Sequence, residues 1–358
     1  MARTFATIFS LVFLIAATAY AAESFAASNL YYAAGLTNNQ QETLFSGLQD
    51  ANVKVLRVWL DGQSDPQKGT ALDPFPSLQG DSPESFNDTV LNRLDDFMHN
   101  ANQYGIKLQI SLHSYNTLEA NNDFYGQWYG TGDFYTNEEA IGHFKDRITY
   151  VLDHVNPHNG KPWSESSEYI FAFEAQNEAM HQQENPDALT SWQCTMAQAI
   201  KEGLSGDILV TTGGGAYLDN SLLDPYFSCD ALDILAIHAY GSGDFATDKL
   251  SPYVKKAQNS GKMLIMQEWG ACYYDTANER CDSSSPAGDR DKNIKSWADS
   301  ISAAGIPWFY WQILPNEDPH QDWDYEVGIG GVNWETLRDV AAGTAGYDSA
   351  FDFSDYLL

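Results

Sequence analysis

Basic residues are scarce in this chain. Nineteen Lys and Arg stand against 49 Asp and Glu, a formal net charge of -30 with a pI near 4.3. Nucleic acid and anionic lipid would both repel such a surface, so neither is expected as a partner. Beyond the amino terminus no long apolar run occurs, and a bilayer span needs about 20 apolar residues. Cysteines number four, none in a CxxC pair, and no metal or cofactor is expected. No G-x-S-x-G elbow is present to serve a serine hydrolase. The triple glycine 213–215 lacks the Lys and Ser/Thr of a phosphate loop and reads as a tight turn.

What is present begins with residues 1–21, where Arg3, an apolar centre from Phe5 to Ala17 and Ala19-Tyr20-Ala21 have the form of a secretory signal. The mature chain, 22–358, is therefore expected to be secreted, extracellular and soluble, with monomer as the default state. Four cysteines allow three pairings, and an oxidising compartment suits them. The pairing favoured is Cys194 with Cys229 and Cys272 with Cys281, the second closing a polar loop with little core of its own. Asn87-Asp88-Thr89 is an acceptor for N-glycosylation or, more simply, a cap for the helix that follows.

Short apolar runs alternate with helical spacing along the whole mature chain. Strands are predicted at Asn29–Gly35, Val53–Leu60, Ile106–Leu112, Ile170–Phe173, Ile208–Thr212, Asp233–Ile237, Met263–Gln267 and Pro307–Trp311. Helices are expected over 40–51, 87–104, 137–154, 188–204, 247–259 and 288–304, with a last helix and a surface-wrapping tail after Leu337. Strand and helix in alternation, without a second domain, is the pattern of an α/β fold closed as a single (β/α)8 TIM barrel. An open doubly wound sheet would want a glycine-rich first turn, where this chain has Gly35-Leu36-Thr37-Asn38. Linker 61–86 is long and is expected to form a cleft wall.

In a barrel the carboxyl ends of the strands converge on one pocket. The polar residues at those ends are Arg57, His113, Asn177-Glu178, His238 with Tyr240, and Glu268, with Trp311 on the last strand. Neither histidine is accompanied by metal-ligand spacing. Two glutamates facing each other without a metal point to cleavage of a glycosidic bond, and close carboxyls point to a retaining mechanism. Glu268 is then the nucleophile, kept ionised by Arg57 and Tyr240, and Glu178 the acid/base. Asn177 would bind the 2-hydroxyl of the sugar, and Trp311 would floor the subsite. Glu174, buried within the fourth strand, needs a cationic partner, for which Arg57 is named in competition with Glu268. Glu178 is expected to hold its proton because it lacks a cation of its own.

As an ordered set, Arg57, His113, Asn177-Glu178, His238 with Tyr240, Glu268 and Trp311 resemble glycoside hydrolase family 5 over the whole mature chain. Ala179 stands where that family commonly has Pro after Asn-Glu. The resemblance implies a retaining barrel glycosidase acting on β-linked polysaccharide, with Glu178 as acid/base and Glu268 as nucleophile. Long loops after strands 2, 3 and 8 look like those of fungal β-mannanases, with an endo-β-1,4-glucanase or another β-glycanase as the alternative. A carbohydrate-binding pseudoenzyme is the alternative of another class, disfavoured because both glutamates are present.

Overall fold

In a computed structural model the chain is described over residues 22–181, 184–275, 280–281, 287–319 and 325–358. Residues 1–21, expected to be a secretory signal, lie outside these residues. Eight parallel strands close into a barrel: β1 (Ala26–Asn29), β2 (Val53–Trp59), β3 (Lys107–Ser111), β4 (Ile170–Glu174), β5 (Leu209–Thr211), β6 (Ile234–His238), β7 (Met263–Trp269) and β8 (Trp308–Tyr310). They follow one another around the wall, and β8 pairs with β1 to close it. Around them lie α1 (Asn38–Asp50), α2 (Thr89–Gln103), α3 (Glu138–Asp153), α4 (Pro186–Gly203), the short α5 (Leu218–Ser221), α6 (Thr247–Asn259), α7 (Ala287–Ala303) and α8 (Trp334–Gly343). Local chemistry starts several of them. Asn137 accepts from two amides of α3, and Asn185 with Pro186 at the first turn opens α4. Asn87 Oδ1 accepts from the Thr89 amide at 3.0 Å, the capping role open to it, and its side chain is exposed.

Two expectations need correction. The first strand is not 29–35 but Ala26–Asn29, and Ala33–Gly35 is a short 3-10 turn. Leu30 and Tyr32 are apolar because the loop above the strand is itself buried, not because they pair in the sheet. The tail, expected on the surface, turns Phe351 and Phe353 inward. Phe353 lies 5.4 Å from Phe25 and 5.9 Å from Phe171, plugging the amino end of the barrel.

At the opposite end, loop 61–86 folds on itself through isolated bridges such as Gln63 with Phe75 and ties to the loop after β8 where Asn316 donates to Lys68 O at 3.2 Å. Rings of the loop after β3 are mostly core: Phe124, Tyr125 and Phe134 are fully buried, whereas Trp128 is 53% exposed. Cys194 on α4 is joined to Cys229, with Cα atoms 5.9 Å apart across 35 residues of sequence. Replacing both with alanine is expected to lower stability by about 2–4 kcal/mol, because the unfolded chain regains the freedom of that loop. Urea unfolding of the double variant reads this, and an unchanged midpoint would contradict it. Cys272 is disulfide-bonded too, and the side chain of Cys281 lies outside the described residues.

Candidate active site

Arg57 is the hub from which the site is built. It sits fully buried in β2, its guanidinium 4.1 Å over the Trp59 ring. Its five N–H groups make five hydrogen bonds. Nε and Nη2 reach Glu174 at 3.0 and 2.5 Å, Nη2 also reaches Asn177 Oδ1 at 2.7 Å, and Nη1 reaches Asn29 Oδ1 at 3.2 Å and Glu268 Oε1 at 2.5 Å. The expected competition between Glu174 and Glu268 is absent, because a planar fork serves both at once. Tyr240 donates to the other Glu268 oxygen at 2.9 Å. Burial and the neighbouring carboxylates push the Tyr240 hydroxyl well above its ordinary range, so it stays a donor.

Glu178 lies opposite, at the end of β4, with backbone φ of 48° in the left-handed region. Its amide donates to Gly213 O at 2.9 Å. The triple glycine is more than a turn: Gly214 (φ 68°) packs so close to the His238 ring that a Cβ would overlap it. His238 Nδ1 is 3.0 Å from Glu178 Oε1 and 3.5 Å from Glu268 Oε2, and an oxygen of each glutamate and a nitrogen of His238 lie within 4.8 Å of one another. Gln267 Nε2 donates to Glu174 at 2.8 Å, so its Oε1 accepts from His238 Nε2 at 2.8 Å and leaves Nδ1 as the titrating atom. Two carboxylates and one histidine this close could ligate a cation. Arg57, already bonded to Glu268, opposes one electrostatically.

The expectation that Glu178 lacks a cation is overturned. His181 Nδ1 touches Glu178 Oε2 at 3.0 Å, and together with His238 it pulls Glu178 down to about 2 against the effect of burial. Burial pushes the Glu268 carboxyl up, against His238 and Arg57. Both histidines are raised, His181 by its bond to Glu178 and His238 by the two glutamates against its burial. The group titrates as one set. Its one permanent cation, Arg57, sits on Glu268, whereas the cations at Glu178 are histidines able to hand their protons over. The protons of these histidines lie within hydrogen-bond reach of Glu178.

The other residues separate into two groups. Asn177 is mostly buried and accepts from Arg57, and Trp311 is partly exposed, stacked on Tyr31 at 6.0 Å and 7° and followed by a cis peptide to Gln312. His113 does not join the cleft. It is fully buried, with Nε2 at 2.7 Å from Asp123, Nδ1 at 2.8 Å from Gln176 and its ring stacked on Phe134, so neither nitrogen is left for a sugar. Sequence reasoning missed His181, Gln267 and Asn29. Gln267, adjacent to Glu268 in an apolar strand, was the one with a visible signal, since a polar side chain there must find buried partners.

A closed parallel barrel with two carboxyl groups this close at the ends of β4 and β7 has the architecture of a retaining glycoside hydrolase. Comparison with known proteins agrees. Residues 17–317 match the family described as cellulase (glycosyl hydrolase family 5), and the chain belongs to that family, whose members are retaining glycoside hydrolases acting on polysaccharide. It is 27% identical over 273 residues to a probable mannan endo-1,4-beta-mannosidase A of Aspergillus niger, covering 69% of this chain and 68% of that one. A second relative, a probable mannan endo-1,4-beta-mannosidase A-1 of Aspergillus terreus, is 30% identical over 274 residues, covering 69% and 67%. Among solved structures, an endo-1,4-beta-mannanase of Rhizomucor miehei superposes with a TM-score of 0.70 at 19% identity, covering 90% of this chain and 95% of that one. One from Thermotoga petrophila gives 0.68 at 21% identity, covering 90% and 77%.

Proposed function

We propose that the protein is a secreted endo-β-1,4-mannanase working by double displacement. Glu268 attacks the anomeric carbon, and Glu178 protonates the leaving oxygen and then deprotonates the incoming water. The observation that carries the reaction is the asymmetric pair: of the two close carboxylates, only Glu268 is bonded to the permanent cation Arg57. Asn177, oriented by Arg57, offers its amide to the 2-hydroxyl, and Trp311 offers an apolar face. The mannan preference is supported by the relatives named above. Among them the description of the family itself, cellulase, favours an endo-β-1,4-glucanase as the second reading.

Reducing-sugar release by the purified protein from mannan, glucomannan, cellulose, β-1,3-glucan and galactan tests the substrate. Release from mannan and glucomannan is expected to exceed that from the others. Release from cellulose with mannan untouched would establish the second reading. Proton NMR of the first product is expected to show the β anomer, and the α anomer first would overturn double displacement.

A further inference from the structure

Glu178 is held from both sides, and only one side belongs to the barrel. Oε1 faces the buried His238, whose Nδ1 also looks toward Glu268. Oε2 faces His181, whose side chain is 34% exposed and lies in the loop after β4. His181 is not free to wander. Its ring stacks on Tyr115, in the loop after β3, with centroids 5.8 Å apart and planes inclined by 22°. Met180, between Glu178 and His181, sets this up: its φ is 46°, left-handed like that of Glu178 itself, and its amide donates to Tyr135 Oη at 2.6 Å. The chain thereby doubles back so that side chains three residues apart meet. The carboxylates of Glu119 and Glu184 add a negative field that favours His181 as a donor.

We propose that His181 is a positioning residue for the acid/base, fixing the direction in which Glu178 Oε2 presents its proton to the leaving group. The inference rests on the assignment of Glu178 as the acid/base. A protonated carboxyl oxygen keeps acceptor capacity beside its O–H. Oε2 therefore takes the His181 N–H on one side while giving its own proton to the glycosidic oxygen on the other. Without His181 the carboxyl turns about its last torsion, which is broad, and its proton falls to His238 Nδ1 on the inner side.

The test separates positioning from damage by varying how much the leaving group needs a proton. Two probes are compared through kcat/KM, which reports the first step: mannohexaose, with a sugar alcohol as leaving group, and 2,4-dinitrophenyl β-mannobioside, whose phenolate departs unaided. Should the wild type cleave glucan, cellohexaose and the β-cellobioside take their places. His181→Ala is expected to lose about 10- to 100-fold on the hexaose, a part of what a general acid supplies. On the dinitrophenyl glycoside it should stay within about 3-fold, since that step needs no proton. His181→Asn, which restores an N–H donor near Oε2, is expected to recover most of the loss. Equal losses on both probes, or none on either, would overturn the inference. Glu178→Ala run alongside shows whether the underlying assignment holds: it too must spare the dinitrophenyl glycoside, and if it does not, the acid/base assignment fails.

Discussion

Glu268→Ala is expected to abolish polysaccharide hydrolysis, with a loss on the order of 10⁵-fold, the scale on which removing a covalent nucleophile acts. The fold should survive, because Arg57 keeps its bonds to Glu174, Asn177 and Asn29 and so remains a paired ion. A circular-dichroism melt checks this. The stronger test is the product formed with added azide from a dinitrophenyl β-glycoside. In Glu268→Ala azide enters from the vacated nucleophile side in one displacement, so the glycosyl azide should be α. In Glu178→Ala the glycosyl-enzyme still forms and azide displaces it in a second inversion, so the product should be β. The opposite pairing of variants and products would exchange the two roles, and full hydrolysis by Glu268→Ala would remove the assignment altogether.

Arg57→Met carries the second large effect, on stability as much as on rate. Methionine fills much of the space but leaves Glu174 and Glu268 buried without their cation. Breaking one partner of a buried ion pair costs about 3–5 kcal/mol. The cost should depend on pH, with a sign that follows from the direction of the shift. Glu268 is already pushed up by burial, and removing Arg57, one of the groups that lower it, pushes it further up. A carboxyl whose folded pKa exceeds its unfolded value binds more protons when folded, so stability falls as pH rises from the unfolded value, about 4.3, through the folded one. The deficit against wild type is therefore expected to be larger at pH 7 than at pH 4. For the same reason the acidic limb of kcat/KM, which reports ionisation of the nucleophile, should move to higher pH. Urea unfolding at both pH values and a pH-rate profile check this, and a deficit that grows on acidification would contradict it. Adding Glu174→Gln removes one of the stranded charges and should return part of the stability. Arg57→Lys is expected to fail as well, since an ammonium cannot supply five donors in a plane.

Much of this barrel is legible in one dimension, for a local reason. Strands buried on both faces read as apolar runs, and a polar pair at the end of such a run, Asn177-Glu178 or Glu268 before Gly270, stands out against it. The boundary errors are equally physical. The run at 29–35 is apolar because loop burial imitates strand burial, and β1 escaped notice because alanine and serine have no strand-like bulk.

Residue types at strand ends and the register of strand and helix are properties of the chain alone, and they determined the fold class and the carboxylate pair, while the excess of acids is the ground for expecting no nucleic-acid partner. Which groups touch is decided by closure of the barrel. Arg57 meets Glu174 and Glu268 across 117 and 211 residues of sequence, so no local pattern could say that one guanidinium serves both. The same closure buries His113 behind Phe134, whereas His181 meets Glu178 three residues away through the turn at Met180, whose amide is held by Tyr135. Short-range patterning selects the elements, but the charge environment of a buried carboxylate depends on which distant side chains share its low-dielectric surroundings, and those only tertiary packing brings together.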